Sequence, residues 1–246
     1  MSVIRTESLS HYFGGLAAVR NVSLAVEPGE LRAIIGPNGA GKTSLFNLLT
    51  GRLRPTSGSV YVHGREVTGW PPHAIARAGL ARTFQITNIF PKLTARENVR
   101  VAAQLRERGL LDPLRGRTSL RQAAETTERV LETVGLMEQG GCPAAELAYG
   151  DQRLLEIGIA LATEPTILLL DEPMAGMSPI ETARTTDLIR SLAGELTVLL
   201  IEHDMDVVLR VSDRVTVMHQ GRVLVEGSPA DVQADPEVQA AYLGSA

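Results

Sequence analysis

The segment Gly36-Pro37-Asn38-Gly39-Ala40-Gly41-Lys42-Thr43 meets the phosphate-cradling pattern GxxxxGK[ST] at every fixed position, directly after the mostly apolar stretch Leu31 to Ile35. A chain that carries it is constrained to place a buried strand, a tight glycine loop and a helix in succession. Glycines at these positions let successive backbone N–H groups converge on phosphate oxygens, Lys42 adds a point charge for the outer phosphates, and Thr43 offers a hydroxyl to Mg²⁺. The helix that begins here contributes its positive end, with Ser44 in its first turn counted among the phosphate-binding residues. A nucleoside triphosphate with Mg²⁺ is therefore the expected ligand.

At 246 residues and 44% hydrophobic content the chain can bury a substantial core. A formal charge of -4 gives no reason to expect nucleic acid as the main partner. The amino-terminal residues do not form a charged-then-apolar leader, and no apolar run approaches the ~18 residues that would suggest a bilayer span. A cytoplasmic protein is expected. The lone Cys142 excludes an internal disulfide and reads as a small filler.

Alternating segments Val3 to Leu9, Val22 to Val26 and Val60 to His63 read as half-exposed, antiparallel strands, with Glu27-Pro28-Gly29-Glu30 as a turn. Leu31 to Ile35, Ile167 to Leu170 and Val198 to Ile201 read instead as continuous apolar runs, as in the central strands of a covered parallel sheet. Functional groups should gather at their carboxyl ends. From Thr94 to Ala162 helical patterns dominate, with Thr94 and Ser119 as expected amino-terminal caps and Gly135 and Gly140-Gly141 as breaks. The connection Arg106 to Arg117 reads as a surface loop inside this helical insertion.

Ile167 to Leu170 delivers two adjacent carboxylates, Asp171 and Glu172. Asp171 fits a ligand of Mg²⁺, and Glu172 fits a general base that orients and deprotonates an attacking water. Thr197 to Ile201 ends in Glu202-His203-Asp204, which brings an imidazole to the same sheet edge. There His203 is suited to bond both the γ-phosphate and Glu172.

The phosphate loop, Gln85, the segment Leu147-Ala148-Tyr149-Gly150-Asp151-Gln152-Arg153, the strand ending Asp171-Glu172-Pro173, and His203 occur in the order and spacing of an ABC transporter's nucleotide-binding subunit. The chain resembles that family over nearly its whole length. The resemblance implies an α/β fold, an ABC-type P-loop ATPase with a RecA-like parallel-sheet core, an antiparallel β subdomain and a helical insertion. All of 1–246 would form a single ATPase domain: residues 1–85 and 163–230 the core, 86–162 the helical subdomain and 231–246 a helical tail. ATP and Mg²⁺ would be its ligands.

In the family's terms, Phe13 resembles the aromatic that stacks on adenine, with Tyr12 as its competitor. Gln85 resembles the glutamine that contacts Mg²⁺ and the attacking water. Ala148, Tyr149, Gly150 and Asp151 resemble the signature loop, which in head-to-tail dimers closes over the ATP held by the opposite subunit. This chain departs from the usual Ser-Gly-Gly-Gln of that loop, and it has Ser178 where the loop after the catalytic glutamate normally ends in aspartate.

Within the family, Phe13-Gly14-Gly15-Leu16, Arg82-Thr83-Phe84-Gln85, Ala148-Tyr149-Gly150, Ile201 to Met205 and Ala241-Tyr242-Leu243-Gly244 are similar to the larger ATPase subunit of branched-chain amino-acid uptake systems. That likeness implies a second ATPase subunit (a heterodimer, or a homodimer in isolation), membrane permease subunits, an external solute-binding protein met only indirectly, and a position on the inner face of the cell membrane. The segment Ile86 to Thr94, with Ile89, Phe90 and Leu93, is the expected permease-coupling surface. The competing reading is a soluble single-cassette ABC ATPase acting in assembly or regulation without a permease.

Overall fold

The computed structural model describes residues 2–83, 89–105 and 116–243. In chain order the first elements are β1 (Ile4–Phe13), β2 (Leu16–Val26), β3 (Leu31–Ile35), α1 (Lys42–Leu49), β4 (Ser57–Val62), β5 (Arg65–Glu66), α2 (Pro72–Arg77) and β6 (Leu80–Arg82). Helices α3 (Ala95–Leu105), α4 (Gly116–Thr133) and α5 (Tyr149–Leu161) follow. The chain continues through β7 (Ile167–Asp171), α6 (Pro179–Leu192), β8 (Thr197–Ile201), α7 (Met205–Val211), β9 (Arg214–His219), β10 (Arg222–Gly227), α8 (Pro229–Ala234) and α9 (Pro236–Leu243). These form two compact units: Met1–Arg82 with Thr166–Glu172 and Ile189–Ala246, and Thr83–Pro165 with Pro173–Leu188.

The first unit holds two sheets. An antiparallel sheet has the order β2-β1-β4-β5, and a six-stranded sheet has the order β10-β9-β3-β8-β7-β6. In the larger sheet β9, β3, β8, β7 and β6 pair in parallel, and β10 closes one edge antiparallel to β9. Every residue of β3, β7 and β8 is buried, as strands covered on both faces require. Alternation sorts β3 between two cores. Ile34 joins Leu45, Phe46 and Leu49 of α1 together with Ile4, Leu24 and Val60 of the antiparallel sheet. Ala33 and Ile35 join Val208, Val215, Val217, Val232 and Val238 on the other face.

The run Leu31 to Ile35 reads as apolar, yet it contains Arg32, which is 1% exposed. Its guanidinium lies 2.5 Å from Glu30 and 2.7 Å from Glu226, and also donates to Thr216 Oγ1 at 3.0 Å. A buried cation is tolerable only when charge and donors are both matched in this way. Glu226 comes from β10, so the edge hairpin is tied electrostatically to the central strand.

The second unit is helical. Ala95, Asn98, Val99, Ala102 and Ala103 of α3 are buried, the i, i+3, i+4, i+7, i+8 stripe of a helix with one core face. Thr94 caps α3: its Oγ1 accepts from Glu97 N at 3.2 Å, and its own N–H donates to Glu97 Oε2 at 2.8 Å. Ser119 is not a cap, because α4 already starts at Gly116 and takes in Arg117 as well. The remainder of the Arg106 to Arg117 connection lies outside the described residues. Helix α4 ends in a Schellman turn: Gly135 has φ +70°, Leu136 N donates to Leu131 O at 2.8 Å, and Gly135 N to Glu132 O at 3.0 Å. Gly140 and Gly141 stand in a short 3-10 turn, Glu138–Gly141. Among the described residues, no helix is long and apolar enough to cross a membrane.

Candidate functional site

Residues 36–41 run from the end of β3 into α1, and the glycines there answer to different neighbours. A Cβ on Gly36 (φ +146°) would lie 2.1 Å from Met218 O of β9, and one on Gly41 (φ +101°) 2.2 Å from Ala18 O of β2. The chain therefore presses against two strands at the ends of the loop. A Cβ on Gly39 (φ +78°) would meet nothing within 4 Å, so the middle of the loop is open. Lys42 is 8% exposed and donates through Nζ to Gly36 O at 2.6 Å and Pro37 O at 3.1 Å. Burial lowers its pKa, while Glu172 and then Asp171 pull it back up. The ammonium is held by the loop's own carbonyls. Thr43 and Ser44 occupy the first turn of α1, Thr43 exposed and Ser44 half-buried.

Strands β3, β8 and β7 are neighbours in the sheet, so their carboxyl ends bring Gly36, Glu202-His203 and Asp171-Glu172 to one edge. Asp171 is 2% exposed. Its Oδ2 accepts from Arg82 Nη2 at 2.7 Å, whereas its buried Oδ1 has no hydrogen-bond partner among the described residues. An orphaned carboxylate oxygen is costly unless a donor or cation supplies the missing contact, and a hard divalent cation suits it. The Asp171 site therefore fits Mg²⁺.

Glu172 adopts φ +49°, a left-handed conformation that costs a non-glycine residue about 1–3 kcal/mol and is concentrated at functional positions. Its N–H donates to Ile201 O at 3.0 Å, which extends the β7–β8 ladder through the strained residue. The side chain of His203 is 65% exposed, and Nδ1 lies 3.7 Å from Glu202 Oε2. The structure thus brings His203 to the expected edge with its ring turned to solvent. Gln85 lies outside the described residues.

Phe13 sits at the tip of the β1–β2 hairpin, paired with Leu16, where Gly14 takes φ +58°. It is 52% exposed, and Tyr12 is 41% exposed. The His11 ring meets Phe13 edge-on, with centroids 4.6 Å apart and an interplanar angle of 82°. An exposed aromatic braced from one side offers a face for a flat ring to stack on.

In the helical unit, Tyr149, Gly150 and Asp151 form the first turn of α5, and Ala148 stands just before it. Two of the unusual residues of the signature loop, Tyr149 and Asp151, have partners on their own chain. Tyr149 donates its hydroxyl to Ala175 O at 3.0 Å. Asp151 Oδ1 accepts from Arg184 Nη1 at 3.0 Å, so its charge is countered on its own chain.

Sequence reading missed two residues beside the site. Arg82, on β6, donates to Asn47 Oδ1 at 2.8 Å as well as to Asp171, and only the sheet order brings these three together. Tyr242, on α9, packs against the Ala33–Ile35 core, with its phenol near the backbone of Gly36. Burial raises its phenol pKa, with the Gly36 contact opposing. The sequence signal for Tyr242 was its presence in the terminal motif, which by itself says nothing of where the hydroxyl goes.

A glycine loop between a buried parallel strand and a helix, with a buried aspartate and a strained glutamate on the second strand over, defines a phosphate-loop nucleotide-binding protein. The chain belongs to the ABC transporter family: residues 19–175 match the family described as "ABC transporter", and residues 222–246 match "Branched-chain amino acid ATP-binding cassette transporter". It is 44% identical to the high-affinity branched-chain amino acid transport ATP-binding protein LivG of Escherichia coli, over 99% of this chain and 98% of that protein. It is 45% identical to BraF of Pseudomonas aeruginosa, which carries the same description, with the same coverage. Among solved structures it is similar to the ADP conformation of MJ1267, an ATP-binding cassette of an ABC transporter, with a TM-score of 0.83 and 33% identity over 99% of both chains.

Proposed function

We propose that this chain is the ATP-hydrolysing subunit of an importer for branched-chain amino acids or related small solutes, peripheral on the inner face of the cell membrane. The observation that carries the hydrolytic part is the adjacency of β3, β8 and β7, which gathers the phosphate loop, His203 and Asp171-Glu172 at one sheet edge. Similarity to LivG and BraF along nearly the whole chain supports the transport part.

In this reading the loop amides of residues 36–44 bind the ATP phosphates and Lys42 transfers its donors from Gly36 O and Pro37 O to the outer phosphates. Phe13 stacks on adenine. Thr43, Gln85 and Asp171 would hold Mg²⁺, which when bound offsets charge on the phosphate oxygens. Glu172 orients the attacking water and takes its proton, and His203 turns from solvent toward the γ-phosphate. Ala148 to Asp151 serve the nucleotide of a second ATPase subunit, in a heterodimer or homodimer. Differential binding of ATP to open and closed pairs drives the permease subunits, and the external solute-binding protein meets only those.

Tagged protein carrying Glu172→Gln, purified from gently solubilised native membranes with ATP and Mg²⁺, tests this by mass spectrometry of its partners. Recovery of permease chains with a second ATPase is expected. Soluble partners alone would favour the single-cassette reading without a permease.

A further inference from the structure

One carboxylate in the helical unit caps two helices at once. Glu181 Oε2 accepts from Ser178 N at 2.8 Å and from Ser178 Oγ at 2.7 Å, the reciprocal box that starts α6. Its other oxygen, Oε1, accepts from Gly150 N at 3.2 Å, a donor in the first turn of α5 that the helix itself leaves unused. The hydrogen bonds from Ser178, with that from Gly150, hold the Glu181 carboxyl below its ordinary pKa. The fit is close: a Cβ on Gly150 would lie 2.4 Å from Glu181 Oε1. Two further bonds run between the same two segments, Tyr149 to Ala175 O at 3.0 Å and Arg184 to Asp151 at 3.0 Å. Arg184 also donates to Gly135 O at 2.7 Å, which fixes the start of α6 to the end of α4.

An ordinary capping box needs only Ser178 and one oxygen of Glu181. The second oxygen does something the cap of α6 does not require: it fixes the direction of the Gly150 N–H and sets the register of residues 148–151 against residues 175–178. Both segments are short loops opening into helices, so their positions depend on such side-chain bonds rather than on a sheet ladder.

We propose that Glu181 is a positioning residue for the signature loop, joining it to the loop that follows Glu172 so that the two are presented to the neighbouring ATPase subunit as one piece. This rests on the reading that Ala148 to Asp151 act on the nucleotide of that neighbour. Because the joint belongs to the helical unit and the chain's own phosphate loop to the other, its loss should spare nucleotide capture and reduce turnover.

The test compares Glu181→Ala, Glu181→Gln and Ser178→Ala in the full chain within its transporter complex. Ser178→Ala weakens the cap of α6 and leaves the Gly150 bond, so it reports a purely structural effect. For Glu181→Ala we expect kcat to fall about tenfold with the KM for ATP within about twofold, a loss on the scale of one charge-assisted hydrogen bond. Amide exchange at Gly150 should accelerate in that variant and stay near native in Ser178→Ala. Glu181→Gln, which keeps an acceptor for Gly150, should recover much of both. Equal losses of kcat in Ser178→Ala and Glu181→Ala, or faster Gly150 exchange with native turnover, would reduce Glu181 to a helix cap and overturn the proposal. So would unchanged Gly150 exchange. An unmodified complex that turns over no ATP would instead refute the function on which the proposal rests.

Discussion

Arg82 Nη2 lies 2.7 Å from Asp171 Oδ2, with side chains only 5% and 2% exposed. The same guanidinium stands over the Phe46 ring of α1 at 5.4 Å and donates to Asn47, so it links the helix after the phosphate loop to the strand that carries the carboxylates. Burial, helped by the nearby Arg52 charge, lowers the Arg82 pKa, and its bond to Asp171 opposes this. The aspartate is thereby pinned by one oxygen while the other is left for a cation.

Replacing Arg82 with Ala strands the buried Asp171 charge. Breaking a buried pair from one side costs about 3–5 kcal/mol, and a loss of that size is expected in urea unfolding at neutral pH. A change below about 1 kcal/mol would mean that Asp171 is held by other contacts.

Phe13→Ala should raise the KM for ATP about tenfold, since stacking of one base on an aromatic is worth about 1–3 kcal/mol, and leave kcat within about threefold. GTP should suffer comparably, because stacking does not read the base edges. Steady-state kinetics with Tyr12→Ala as the control checks this. A larger effect of Tyr12→Ala would transfer the stacking role to that residue.

Tyr242→Phe removes the hydroxyl that α9 places near the Gly36 backbone, and a modest rise in the KM for ATP is expected. The pH dependence gives a second readout. Burial raises the phenol pKa above its ordinary 10.0, so the folded protein keeps this proton after the unfolded chain has lost it. Stability from this source is full below about pH 10 and declines as pH rises through the folded value. The variant should lose that part of the alkaline decline in thermal unfolding scans. An identical alkaline slope in both proteins would contradict the assignment.

Phe90 is 55% exposed, while its backbone is clamped by Asn98, whose Oδ1 accepts from Phe90 N at 2.7 Å and whose Nδ2 donates to Phe90 O at 3.1 Å. A rigidly held, exposed aromatic suits a docking surface; Ile89 and Leu93 are half-buried beside it. Phe90→Asp should abolish solute uptake in reconstituted vesicles and leave basal ATP hydrolysis intact. Loss of both together would count against a coupling role.

Much of this was legible in the sequence because it is local. The glycine loop, the buried strands β3, β7 and β8, and the acids that follow them are each written in a few consecutive residues. Thr94 as a cap was readable for the same reason, since its partner Glu97 is three residues on. Long-range pairing was not readable. Nothing near Arg32 announces that Glu226 of the edge hairpin will neutralise it, and nothing near Asp171 announces Arg82. Ser119 failed as a cap because α4 extends upstream through Gly116, a poor helix former whose inclusion local propensity does not anticipate. Nothing near Asp151 announces Arg184 of α6, which counters its charge.

Hydrolysis of [γ-³²P]ATP by the assembled complex, native against Glu172→Gln, bears most directly on whether the strained glutamate beside the phosphate loop is the catalytic base. Retained ATP binding with turnover reduced about 10²- to 10⁴-fold is the expected result, the range for loss of a general base. Turnover within threefold of native, with ATP bound equally well, would remove Glu172 from the chemistry and with it the assignment of this sheet edge as the hydrolytic site.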